Sequence, residues 1–216
     1  MATADRGDAR PPRRTASWAK RSSALIVEDD YDGELRYDGQ PLESLQSLDR
    51  EGHVIYIGTF SRTIFSALRL GYLIVPKSLV RSFTAAKWLC DRHTATLEQH
   101  TLADFISGGM YERYLRRLRR RTALRRRVLL DSIRQHLRDR VRVTGDGAGA
   151  HVVLWPRGRR VREEALVARA AARGVGIYAI SPYFQDQPNR SGLLLGYSRL
   201  TESDIREGIR LLAEIL

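Results

Sequence analysis

Apolar residues in this chain fall in short continuous runs that stop at polar clusters, a rhythm that predicts buried strands alternating with amphipathic helices. "ALIV" (24–27) stops at an acidic cluster, and "HVIYIGTF" (53–60) and "LGYLIVP" (70–76) follow the same pattern. Such runs suit a parallel sheet whose strands deliver polar residues from their C-terminal ends. Pro76 opens a helical stretch over 77–90, and a second runs from 95 to 107 until Gly108 and Gly109 break it. A long helix is predicted from about 110 to 138, burying a stripe of Tyr111, Leu115, Leu118, Leu129, Ile133 and Leu137. "HVVLWP" (151–156), "VGIYAI" (175–180) and "LLLGYS" (193–198) read as strands. "REEALVARAAARG" (162–174) reads as an amphipathic helix closed by Gly174. Thr201 caps the last helix, with Asp204 at its third position in a variant of the capping box. The alternation predicts a layered α/β protein. Residues 1–23 carry Pro, Arg and Ser without sustained periodicity and are expected to form a disordered basic leader, with helical tendency near Trp18.

Composition narrows the picture. In 216 residues, a 43% hydrophobic fraction is enough for a buried core. No run of about 18 apolar residues is present, so no membrane helix is expected. The start of the chain has no apolar signal region, and Cys90, the single cysteine, excludes an internal disulfide. A cytoplasmic location is the resulting expectation. The net charge of +12 would ordinarily suggest nucleic acid or an acidic surface. Only Lys20, Lys77 and Lys87 are lysines, however, and arginine is densest in "RYLRRLRRRTALRRR" (113–127). Two readings of that segment stand: a helix gripping phosphates, or a solvated helix buried along its apolar stripe. His53, His93, His100, His136 and His151 show no ligand spacing, so no metal site is expected. Cys90 is expected in the core, and Trp155 as a strand-end packing group.

Two stretches carry candidate chemistry. "VEDDYDGELRY" (27–37) sets Glu28, Asp29, Asp30, Tyr31 and Asp32 at a strand end, where open parallel sheets bind ligands. Clustered carboxylates can take Mg²⁺ or cap the amides of a turn. "IYIGTFSRTIFSALRLGY" (55–72) places Thr59 and Ser61 just after a strand, with Arg69 seven positions beyond Arg62. Hydroxyls, turn N–H groups and a guanidinium in that order suit a phosphate clamp.

Taken together, these stretches resemble fold-type-I pyridoxal-phosphate enzymes of the class I/II aminotransferase superfamily. The closest resemblance is to the aminotransferase-like domain of MocR-type GntR-family transcriptional regulators, over roughly residues 13 to 216. It implies an α/β, incomplete pyridoxal-phosphate-dependent transferase fold with a partial large domain and a C-terminal small α+β domain. The implied division is 24–115 for the C-terminal part of the large domain, 116–139 for an arginine-rich linking helix, and 140–216 for the small domain. It also implies that Asp29 pairs with the cofactor's pyridine nitrogen, that Tyr31 hydrogen-bonds the ring's 3-oxygen, and that Ser61 and Arg69 hold the phosphate.

Arg62 stands where the family places its Schiff-base lysine. An arginine keeps its proton far above neutral pH and is a poor nucleophile, and neither Lys77 nor Lys87 has the local setting to replace it. Residue 62 is therefore expected to carry no catalysis, the cofactor to bind non-covalently at best, and enzymatic activity to be impaired. Leu194 occupies the place of the substrate-carboxylate arginine of many aminotransferases, and Arg199 is out of register. The family's winged helix and the first half of its cofactor domain have no counterpart here. The chain thus reads as truncated, without sequence-specific DNA binding. Its expected partners are a small amino acid or amine and either a second copy or a complementing chain. The alternative is a basic nucleic-acid-binding or non-functional fragment with no cofactor.

Overall fold

The computed structural model describes residues 12–37, 43–92, 95–158, 162–185 and 190–216. They divide into two compact units, the first running to residue 34 and again from 43 to 116, the second comprising 35–37 and everything from 117 onward. His93 lies outside the described residues, as do residues 1–11 of the expected leader.

The first unit opens with helix α1 (Pro12–Arg21), which has the helical tendency expected near Trp18 but extends it over ten residues of a leader otherwise expected to be disordered. Proline at the first helical position and a run of Ala, Arg and Lys favour the helix. Ala19 is fully buried, and Lys20 Nζ donates to Glu51 at 2.6 Å. Strand β1 (Ile26–Asp30), helix α2 (Leu45–Leu48), and strands β2 (Val54–Thr59) and β3 (Gly71–Ile74) follow, in sheet order β1-β2-β3. β1 and β2 are parallel, but β3 returns antiparallel to β2, contrary to the parallel expectation for its apolar run. A parallel return needs a crossover of roughly a dozen residues or more, usually a helix. The link from Thr59 to Gly71 holds only a turn and one 3-10 turn, Ser66–Leu68. Helices α3 (Val80–Asp91), α4 (Thr96–Ser107) and the first turns of α5 (Met110–His136) complete the unit.

Apolar periodicity fails most on α3. It buries none of its described residues, Trp88 and Leu89 are more than half exposed, and Cys90 is exposed rather than in the core. Of the expected stripe, Leu115, Leu129 and Ile133 on α5 and Leu137 just beyond its end are buried, while Tyr111 and Leu118 are half-buried.

Asp49 organises the entry to β2. Its carboxylate accepts from the backbone N–H groups of Glu51 (3.0 Å), Gly52 (3.1 Å), His53 (2.6 Å) and Val54 (2.8 Å). Burial acts to raise its pKa, but the four donors outweigh it and hold the carboxyl below its ordinary value. A depressed folded pKa gives stability that is present above the unfolded value of about 3.9 and lost as pH falls through the folded value. Asp49→Ala is therefore expected to cost about 1–3 kcal/mol at pH 7. The gap to the wild type should close below the usual carboxylate range, as urea unfolding across acid and neutral pH would show.

The second unit holds strands β4 (Val141–Thr144) and β5 (His151–Pro156), helix α6 (Glu163–Ala171), strands β6 (Tyr178–Ala179) and β7 (Leu193–Gly196), and helix α7 (Glu202–Ile215). Its sheet is antiparallel throughout, in order β4-β5-β7-β6. β5 is apolar on both faces. Val152 and Leu154 join the main core with Leu193, Leu195, the α5 residues Val128, Leu129 and Ile133, Leu137 just after α5, and the α7 residues Ile205, Ile209 and Leu212. Val153 and Trp155 point the other way and pack with Ile180. Thr201 and Asp204 form the expected reciprocal capping box on α7.

Candidate functional site

The pleat of β1 sorts the acidic cluster. Ile26, Glu28 and Asp30 are half-buried on one face, while Val27 and Asp29 are exposed on the other. The buried-side carboxylates are committed to structure. Glu28 accepts from the N–H groups of Leu45 (2.9 Å) and Gln46 (3.0 Å) at the start of α2. Asp30 accepts from the Tyr56 hydroxyl at 2.8 Å, and burial together with that bond drives the Tyr56 phenol well above its ordinary pKa. Asp29 is left on the exposed face, paired in register with Ile57 of β2. No group of three or more His, Cys, Asp or Glu side chains gathers for a metal among the described residues.

The β2–β3 connection carries the other candidates. Phe60 N–H donates to Leu70 O (3.1 Å) and Ile64 N–H to Phe60 O (2.9 Å), closing a tight turn around Ser61 and Arg62. Thr59 Oγ1 accepts from Ser61 N–H at 3.1 Å, so part of the expected hydroxyl clamp builds the turn itself. The turn is pinned from behind. Thr63 is buried, its Oγ1 donating to Phe60 O (3.3 Å) and lying 3.2 Å from the Tyr111 hydroxyl. The Phe60 ring sits 5.4 Å from Tyr72 and 5.8 Å from Tyr111, and Tyr111 is edge-on to Phe105 at 6.2 Å. Aromatic contacts of this kind contribute about 0.5–1.5 kcal/mol each beyond area burial. Sequence reading missed this cluster. Its signal was the recurrence of aromatics at 56, 60, 72, 105 and 111, on elements that only the fold brings together.

Tyr31 and Arg62 meet. The Arg62 guanidinium lies over the Tyr31 ring, 5.5 Å from its centroid, a cation–π contact between the end of β1 and the turn after β2. Burial, then Asp32, raises the Tyr31 pKa, with Arg62 pulling the other way and Asp29 adding to the rise. Tyr31 therefore remains a phenol, able to donate, through neutral pH. Arg69 caps the 3-10 turn in the left-handed region (φ 52°), uncommon for a residue with a side chain, and its side chain is exposed. Tyr31 and Arg62 are thus in direct contact. Ser61 shares the Arg62 turn, and Asp29 and Arg69 present exposed side chains at the end of β1 and before β3.

Over 194 residues, 90% of its length, the chain is 40% identical to the HTH-type transcriptional regulator YhdI of Bacillus subtilis and spans 41% of it. Over 191 residues it is 39% identical to the probable rhizopine catabolism regulatory protein MocR of Rhizobium meliloti, spanning 38% of that protein. Over about nine-tenths of its length the chain is thus similar to a portion of MocR/GntR-type regulators and to aminotransferases. Its fold is the mixed α/β fold of pyridoxal-phosphate aminotransferases. LysN, the α-aminoadipate aminotransferase of Thermus thermophilus solved with N-(5'-phosphopyridoxyl)-L-leucine, matches with a TM-score of 0.84 and 28% identity, covering 95% of this chain and 53% of LysN. The chain spans about half the length, or somewhat less, of the relatives and structures it matches. No family model matches it. No described helix is long and apolar enough to cross a membrane.

The donor set can be tested against a phosphorylated pyridine aldehyde. An exposed carboxylate, a protonated phenol, a turn hydroxyl and a guanidinium match the ring nitrogen, ring oxygen and phosphate of such a group. Residue 62 presents a guanidinium over the Tyr31 ring rather than an amine.

Proposed function

We propose that this chain holds pyridoxal phosphate reversibly, as the cofactor-side portion of a regulator-type aminotransferase-like region, and does not itself catalyse transamination. The contact between Arg62 and Tyr31 carries the reading, because it puts a permanent cation where a nucleophilic amine would have to stand. Asp29 would pair with the ring nitrogen and keep it protonated, Tyr31 would donate to the ring oxygen, and Ser61 and Arg69 would hold the phosphate. When bound, the cofactor would supply an electron sink to an amino acid or amine. Arg62 can neither attack its aldehyde nor accept a proton from a substrate carbon at neutral pH.

In this reading 24–115 is the C-terminal part of the large domain, 116–139 the linking helix and 140–216 the small domain. Exposed apolar side chains on α3 and α4 (Trp88, Leu89, Leu97 and Ile106) suit faces covered by a complementing segment or a second copy.

Titration of the full chain with pyridoxal phosphate, followed by absorbance and dialysis, tests the proposal. Reversible binding is expected, weakened roughly ten- to a hundredfold by Arg69→Ala, the scale of a charge-assisted phosphate contact. Borohydride treatment should leave no adduct at residue 62. A trapped adduct there, or no binding at all, would overturn it.

A further inference from the structure

The arginine-rich helix forms a feature that the cofactor reading does not use. Within the second unit, α5 and the segment 35–37 line a groove of about 590 Å³. Arg119, Arg120, Arg126, Arg127 and Arg134 line it from α5, and Arg36 from the other side. The segment bearing Arg36 is fixed by short antiparallel pairing: Arg36 bridges Ala148, Gly149 N–H donates to Leu35 O (2.7 Å), and Tyr37 N–H donates to Gly147 O (3.2 Å).

The groove is built, not merely charged. The Tyr37 hydroxyl donates to Gly149 O at 2.9 Å, and the Arg126 guanidinium lies over the Tyr37 ring at 5.3 Å. Arg126 Nε also donates to Asp146 O, so this arginine holds the wall in place. Arg134 pairs with Asp131. Arg120 and Arg127 are exposed, and no described residue forms an ion pair with either. Ala123 and Leu130, between the arginine pairs, keep the floor low.

Spacing identifies the ligand. The arginines recur at 119/120, 126/127 and 134, and a step of seven residues returns to within roughly 20° of the same helix direction. From Arg119 to Arg134 the row is about 22 Å long at a rise of about 1.5 Å per residue. A compact phosphorylated ion would engage only one end of it. Successive phosphates along one strand of a duplex advance about 3.4 Å along its axis, so the row spans the rise of roughly six base pairs, long enough to meet several phosphates on the side that faces it. We infer that this groove binds the phosphate backbone of a nucleic acid duplex, independently of sequence. Among the described residues, the groove offers no side-chain amide or carboxylate for adenine or cytosine edges. Its Tyr37 hydroxyl is spent on Gly149 O and the Tyr37 ring is covered by Arg126, so phosphates rather than bases are the expected partners of its guanidiniums. This site is separate from the cofactor proposal and stands or falls without it.

The test is fluorescence anisotropy of the full chain with a labelled mixed-sequence duplex of about 20 base pairs, titrated at several salt concentrations. Arg120→Ala/Arg127→Ala is expected to weaken low-salt binding at least tenfold and to lower the slope of log K against log salt by about two. Arg120→Lys/Arg127→Lys should keep the slope, and Arg206→Ala on α7 should change nothing. In the wild-type protein, the duplex should protect Arg120 and Arg127 from an arginine-selective dicarbonyl reagent, a readout that needs no variant. Unchanged slope in the alanine pair, or no protection, would overturn the inference. So would saturable pyrophosphate binding at these arginines without duplex binding, which would mark a compact oligophosphate site, or strong preference for one duplex sequence.

Discussion

Arg62→Lys is expected to turn reversible cofactor binding into a covalent adduct that borohydride fixes at residue 62. A lysine amine has a reference pKa of about 10.4, and burial or a neighbouring cation can bring its neutral form within reach of an aldehyde. The turn that would present it is already held by Thr63, Phe60 and Tyr111, and Tyr31 lies alongside. Replacing the guanidinium changes the chemistry of one side chain without asking the backbone to move. The expected signature is a visible absorbance band that survives dialysis, is lost on reduction, and weakens in Arg62→Lys/Asp29→Ala. Arg62→Gln removes the same cation–π contact and should give no band, separating the gain of an amine from the loss of a charge. Transamination should stay near background, in keeping with a chain that spans about half of LysN. Efficient turnover by Arg62→Lys alone would show that this chain contains a complete active site. A folded variant with no band would show that the remaining donors do not assemble around a cofactor.

The parts of the fold legible in the sequence are those decided by local chemistry. The capping box at Thr201 and Asp204, strand β5 over 151–156 and the extent of α5 follow from side-chain propensity and period, and the structure has each of them. β3 was legible as a strand but not in its direction, because an apolar run carries no arrow and the length of the β2–β3 link decided it. β4, "VRVT", has the right alternation but is only four residues long and lies beside the arginine-rich segment, so its strand character was missed.

The candidate site was half legible. Its residue types stood out, but "EDD" does not say which carboxylates are already spent. Only the pleat of β1 shows that Glu28 and Asp30 serve the fold while Asp29 faces out. Cys90 and α3 teach a related lesson. An apolar pattern reports what a helix would bury given a neighbour; it does not say that the neighbour lies within the same chain.

Glu163 was hidden by the same ambiguity, and removing it is expected to have the largest effect on stability. In the sequence, Glu163 and Glu164 look alike, two acids in the first turn of a helix where negative charge is favourable. In the structure Glu163 is only 5% exposed. Its carboxylate accepts from Ser181 N–H at 3.0 Å and Gly192 N–H at 2.6 Å, tying the start of α6 to both ends of the β6–β7 connection. Gly192 can approach because it has no side chain: a Cβ there would lie 2.7 Å from Ile180 and 2.8 Å from Trp155. Glu163→Ala would strand one buried donor, Gly192 N–H, and one part-buried donor, Ser181 N–H, each losing a charge-assisted bond, for an expected cost of about 3–5 kcal/mol. That is a large share of the roughly 5–15 kcal/mol that usually separates folded from unfolded domains. Glu163→Gln keeps one acceptor oxygen and presents an N–H₂ to the second donor, so its cost should fall between wild type and alanine. Urea unfolding followed by tryptophan emission reads the effect locally, since Trp155 is buried beside Gly192 while Trp18 and Trp88 are exposed. A loss below about 1 kcal/mol in Glu163→Ala, within the range of an ordinary surface helix charge, would mean that the carboxylate does not hold this connection.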